Sequence, residues 1–200
     1  MSRIKKTGLV ASSNNLSNYP KGWIETKVNG ELRAFATRFR IAKSFNALSL
    51  EKHIGVETKE GYSSLVRLLL TYSAFERFTK SFGLTSDKKL ASIEQKHGND
   101  EVIRYIKTRE GHSSRLLEFL QDKSSSQKLR NNASCIDRCL DGSVIFLAEA
   151  IRHAFAHGDL TPGTWSENPK SLKEVCNKLS DTLILIMDEE TEARMPNLRC

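Results

Sequence analysis

The chain has 200 residues, 38% of them hydrophobic and 28% charged, with a formal net charge of +7. That length fits one domain with a sizeable core. No apolar run approaches the roughly 18 residues of a membrane span, and the basic start, Met1 to Thr7, has no apolar stretch behind it and so lacks the pattern of a secretory signal. A cytoplasmic protein without membrane partners is expected.

The charge is unevenly placed. Nine of the 31 Lys/Arg and only two of the 24 Asp/Glu fall in residues 1–50, so that segment carries the whole excess and the remainder is neutral. Clustered positive charge suits a polyanion, because each neutralised phosphate releases counterions; it equally suits a solubilising arm. The four cysteines, Cys135, Cys139, Cys176 and Cys200, form no C-x-x-C and have no histidine at zinc-finger spacing. Cys135 and Cys139, one helical turn apart, read as small, half-buried residues, and the cysteines as structural or inert thiols of a reduced compartment.

In chain order, residues 1–20 are rich in Ser, Asn and Lys and read as a flexible tail. Residues 21–57 form a basic and aromatic extension with two readings. Asn29-Gly30 is a strong turn dipeptide, which permits a hairpin. Phe35, Phe39, Ala42 and Phe45 recur at helical spacing, which favours a turn at Asn29-Gly30 followed by a helix from Glu31. The helical domain is expected over 58–195. Its first long helix carries Tyr62, Leu65, Leu69, Tyr72 and Phe75/Glu76 on one stripe, widened by Leu68 and Phe82, and stops at Gly83. Shorter helices follow near 88–95, 100–107 and 113–121, broken at Gly98 and Gly111. Residues 122–134 read as a loop by composition. An apolar helix starts at about Ser134 or Ser143 and runs to His157. After a loop marked by Gly158, Pro162 and Pro169, a last long helix begins at Ser171 as N-cap and ends in Asp188-Glu-Glu-Thr-Glu192. The fold class is an all-α bundle.

The helix ending at His157 is the most informative. On a wheel of about 100° per residue, Val144, Leu147, Ala148, Ile151, Ala154 and Phe155 form a core stripe. Phe146, Ala150 and His157 share another face, bordered by His153. An aromatic and a small residue beside two histidines read as a second interface, with Phe146 and Ala150 admitting a partner helix. Arg152 and His157 flank the core stripe about 140° apart. One helix therefore keeps them separate, and a two-fold dimer would pool them in one cleft. His157 stands beside Gly158 at the negative end of the helix dipole, a setting suited to a group that exchanges protons.

The run Arg152-His153-Ala154-Phe155-Ala156-His157 resembles the R-x4-6-H motif of HEPN-domain proteins. Leu68-Leu-Leu-Thr-Tyr-Ser-Ala-Phe-Glu76 is similar to the first long helix of such domains, and the likeness covers about residues 58–190. The resemblance implies an HEPN-like helical bundle acting as a homodimer, a metal-independent endoribonuclease of toxin–antitoxin or phage-defence systems with an antitoxin as a further partner. It implies no cofactor and no metal. His157 would be the general acid or base at the ribose 2′-OH, Arg152 would hold the scissile phosphate, and His153 would orient substrate; cleavage would leave a 2′,3′-cyclic phosphate.

Plainer roles compete. Arg152 can pair with Glu149 on the surface, and His157 can cap the last carbonyls. Glu76 and Tyr72 are candidate neighbours of the site or structural groups. Arg33, Arg38, Arg40 and Lys43, interleaved with phenylalanines, are candidate RNA contacts, or surface cations over packed rings. His53, His97 and His112 carry no assigned role. The alternatives to a nuclease are a non-catalytic HEPN-fold module binding RNA, a nucleotide or a protein, and a DNA-binding regulator using residues 1–50.

Overall fold

Helix α1, Val28–Ser44, takes its place through one apolar stripe. Leu32, Phe35, Ala36, Phe39 and Ala42, spaced three and four apart, are all buried. The computed structural model describes residues 28–51, 54–108, 112–124, 126–139, 142–163 and 169–194; the expected tail, 1–20, lies outside them. The turn expected at Asn29-Gly30 is instead the first turn of α1. Early amides of a helix have no internal partners in any case, so a turn dipeptide costs little there, and the stripe behind it decides. Phe35 packs on Phe39, Phe78 and Phe82 at ring-centroid distances of 5.4, 5.5 and 6.4 Å. Helix α1 is thus tied into the same core as the helices that follow.

Helix α2, Val56–Ser81, buries Leu65, Leu68, Tyr72, Phe75 and Phe78, while Tyr62 and Leu69 stay half-buried. Gly83, at φ 62°, closes it: the Gly83 amide bonds the Lys80 carbonyl and the Leu84 amide bonds that of Thr79, with Leu84 buried. Then come α3 (Asp87–Lys96), α4 (Asn99–Lys107), α5 (His112–Lys123), α6 (Gln127–Cys139), α7 (Val144–Ala156) and α8 (Pro169–Arg194). The described residues are helical with no strand, and no helix among them is long and apolar enough to cross a membrane.

Two boundaries differ from the sequence expectation. Most of the loop expected over 122–134 belongs to α6, where Leu129, Ala133 and Ile136 are buried among polar neighbours; three apolar positions at helical spacing suffice when other helices supply the opposite wall. Helix α8 begins at Pro169 rather than behind a Ser171 cap, as suits proline, which has no amide to leave unpaired in a first turn.

Cross-links fix the directions. Lys173 pairs with Glu60, and Arg67 pairs with Asp181 and bonds Asn177, so α2 and α8 run parallel. Glu31 pairs with Arg77 and Arg38 bonds Ser73, so α1 runs antiparallel to α2. The acidic end of α8 is gripped from two sides. Lys43 of α1 reaches Asp188 at 3.1 Å, and His97, just after α3, lies between Glu189 (Nδ1, 3.2 Å) and Glu190 (Nε2, 3.1 Å). Burial alone would raise the Glu190 carboxyl, but hydrogen bonds from Lys96, His97 and Arg194 hold it down to about 2. His97, given no role by the sequence, is therefore a structural clamp.

Candidate functional site

Helix α7 is threaded through the bundle, packing against α2, α3, α4, α5, α6 and α8. Its entry is built from four polar residues. Ser143 sits in extended conformation and its Oγ accepts from the Phe146 amide at 3.1 Å. Asn132 Oδ1 takes the Ser143 amide (2.6 Å), Asn99 Oδ1 the Val144 amide (3.0 Å) and Glu94 Oε1 the Ile145 amide (2.8 Å). Ser143 Oγ donates in turn to Glu94 Oε1 at 2.7 Å. Every amide from 143 to 146 is thus satisfied inside the protein. Burial raises the Glu94 carboxyl, and the bonds from Ile145, Ser143 and Val144 only partly oppose it.

The exit is simpler. His157 is the C-cap and Gly158 follows at φ 81°. The Gly158 amide bonds the Phe155 carbonyl at 3.0 Å and the Asp159 amide bonds that of Ala154 at 2.9 Å, the paired closure that a left-handed residue permits. The next residues are pinned: Leu160 is buried, and Pro162 lies where a Cβ on Gly61 would come within 2.8 Å. Gly61 of α2 therefore admits the loop that holds the end of α7 in place.

Between these ends, α7 faces α2. Arg152, with 21% of its side chain exposed, puts Nη2 at 2.7 Å from Glu76 Oε1. Its guanidinium carbon lies 5.1 Å from the centroid of the Tyr72 ring, within cation–π range. Tyr72 is buried with the Glu149 carboxylate nearby; burial, and then that carboxylate, push its phenol well above the ordinary range. Tyr72 therefore stays neutral and serves as a platform. Arg152 thus pairs with Glu76 of α2, and Glu149, its expected surface partner, stands near Tyr72.

His153 and His157 stack on each other at 5.1 Å between centroids and 27° between planes. His153 is half-buried and His157 exposed. No bond or ring contact joins Arg152 to His157 among the described residues: the guanidinium is drawn to α2 and the imidazole to its neighbour.

The expected interface face is corrected. Ala150 is 2% exposed, inside the single chain, and offers no surface to a partner helix. Phe146 is partly buried with the Lys128 ammonium 3.9 Å from its ring centroid, and it lines a cleft of about 550 Å3 with Leu90, Asn99 and Asp100. That cleft belongs to the entry of α7, roughly 15–20 Å along the helix from His157 at 1.5 Å per residue. The wheel treated α7 as having one covered face; six packed neighbours cover more.

The basic residues of α1 are mostly occupied. Arg38 donates to Ser73 Oγ at 2.7 Å, Arg40 to its own helix at the Ala36 carbonyl, and Lys43 to Asp188 while lying over the Phe39 ring. Arg33 is exposed. Among the described residues, no hydrogen bond or ion pair joins these four cations to Arg152 or His157. Burial pushes the Cys176 thiol up to about 12, opposed only by a bond to Ser64, so it is inert at neutral pH. No group of three or more His, Cys, Asp or Glu placed to hold a metal occurs among the described residues.

Comparison of the chain with protein-family models, with curated proteins and with solved structures found no match.

Proposed function

We propose that this protein is a metal-independent endoribonuclease of the HEPN type, acting as a homodimer in a toxin or phage-defence setting with an antitoxin as its restraining partner. The observation that carries the reading is the end of α7: an arginine held in place by α2, followed directly by the half-buried His153, on which the exposed His157 one turn later is stacked. Those groups match the needs of RNA transesterification. His157 takes the proton of a ribose 2′-OH, the oxygen attacks the adjacent phosphorus, the bond from phosphorus to the 5′-oxygen breaks, and that oxygen leaves with a proton from solvent water. Arg152 stabilises the charge that gathers on the phosphoryl oxygens. His153, under His157, holds that ring against rotation. The products carry a 2′,3′-cyclic phosphate and a 5′-OH.

Five residues apart on one helix, Arg152 and His157 point about 140° apart, so the reactive unit is a pair of chains, with one protomer's Arg152 beside its partner's His157. The exposed edge of Ala156 and His157, with the half-buried His153 beside it, is the surface that meets, since Ala150 lies inside the fold.

The test is cleavage of purified RNA in the presence of EDTA. Arg152→Ala and His157→Ala are each expected to slow the wild-type rate by about 100-fold or more. Equal rates in wild type and variants would sink the catalytic reading. A second reading, a non-catalytic module of the same fold, is favoured by one observation: Glu76 already neutralises Arg152. Tight RNA binding without cleavage, unchanged in His157→Ala, would support it.

A further inference from the structure

Arginine reaches its targets on a long side chain, and fixing it costs conformational entropy. Around Arg152 that ordering is accomplished before any substrate arrives. Four side chains interlock across the α2–α7 contact, two from each helix. Glu149 of α7 stands near Tyr72 of α2, the Tyr72 ring lies against Arg152 of α7, and Arg152 bonds Glu76 of α2. The spacing is what each helix requires for a shared face: three residues from Glu149 to Arg152 and four from Tyr72 to Glu76. Tyr72, at 6% exposure, cannot swing away.

The Glu76 contact is a poor candidate for a stability device. Its side chain is 43% exposed, and exposed ion pairs contribute little. It engages a single guanidinium nitrogen, Nη2. A guanidinium carries five N–H groups in a fixed fork, so one carboxylate oxygen at one nitrogen leaves donors for a two-pronged phosphate contact. Carboxylate at one end and ring against the face define both where the fork sits and how it is turned.

Resting on the ribonuclease reading above, we infer that Glu76 and Tyr72 are positioning residues that present Arg152 to the scissile phosphate. Neither touches the reacting atoms. They act through Arg152, so their loss is felt in the chemical step more than in substrate capture.

The experiment measures kcat and KM on a fluorescent RNA, together with the side-chain 1H–15N NMR signals of Arg152 in the full-length protein. Glu76→Ala is expected to lower kcat tenfold or more with KM changed less than threefold, and Glu76→Gln, which keeps an acceptor oxygen, to recover part of that loss. Tyr72→Phe keeps the ring and is expected to stay within threefold of wild type, whereas Tyr72→Leu falls with Glu76→Ala. The Arg152 guanidinium signals, slow to rotate in wild type, are expected to average in Glu76→Ala while urea midpoints barely move. Unchanged kcat in Glu76→Ala overturns the inference. Faster cleavage by Glu76→Gln overturns it too, making the carboxylate a competitor for Arg152. If the wild-type protein cuts no RNA, the ribonuclease reading fails by itself and the NMR arm judges the positioning: Arg152 signals identical in wild type and Glu76→Ala overturn it, and averaged ones support it.

Discussion

The two ends of α7 are made of similar materials and built to opposite purposes. At the entry, a buried carboxylate, two amides and a hydroxyl are consumed by four backbone amides. At the exit, backbone bonds close the helix unaided, and the polar side chains, His153 and His157, touch chiefly each other. Polar groups whose hydrogen bonds are all spent inside the fold hold structure. Polar groups left in reach of solvent, on a helix end pinned by Leu160 and Pro162, are available for chemistry. The cleft at the entry is thus the less suited of the two to act on a substrate.

The sharpest way to break this contrast is at Gly142, which precedes the Ser143 cap. It holds φ 148°, and a Cβ there would meet Ile136 Cγ1 at 2.5 Å and Asn132 Oδ1 at 3.0 Å. Gly142→Ala is expected to cost about 2–4 kcal/mol in urea unfolding, through overpacking and a displaced cap. A loss under 1 kcal/mol would mean that the entry is less rigid than described.

Glu94 comes next. Glu94→Ala strands the Ile145 amide and the Ser143 hydroxyl and is expected to cost about 2–3 kcal/mol. The same residue gives the entry a pH signature. Its folded carboxyl lies above the ordinary value of 4.5, so the folded state binds the proton more tightly than the unfolded one. Stability is greatest with Glu94 protonated and falls as pH rises from about 4.5 through the raised folded value. Glu94→Gln is expected to flatten that slope between pH 4 and 7; an unchanged slope would show that burial does not govern this carboxylate.

The smallest expected effect on stability is at the exit. His157→Ala should shift unfolding by about 0.5 kcal/mol or less, since the ring is exposed and the helix closes through Gly158. A loss above 1 kcal/mol would make His157 a structural cap and remove the contrast.

Much of the exit was legible in the sequence, because its determinants are local. Gly158 after an apolar helix marks a left-handed stop, and the spacing of Arg152 and His157 fixes their divergence whatever surrounds them. The entry was not legible. Glu94, Asn99 and Asn132 lie 11 to 49 positions before Ser143 in the chain, and nothing in their neighbourhoods announces that they converge. Helix α6 was hidden for a related reason: Asn131, Asn132 and Ser134 look like a loop until Asn132 is seen bonded to Ser143 and Leu129 and Ile136 buried.

The amino-acid order alone determined the all-helical class, the stop at Gly83 and the placing of Arg152 and His157 on different sides of one helix, since helical periodicity and glycine's conformational range act over a few residues. Only the tertiary structure decided that Ala150 is interior, that Arg33, Arg38, Arg40 and Lys43 ride on a core helix, and that Arg152 answers to Glu76 and Tyr72 rather than to Glu149. Those outcomes depend on which faces of distant helices meet, and burial rewards any apolar surface that fits without naming its partner in advance.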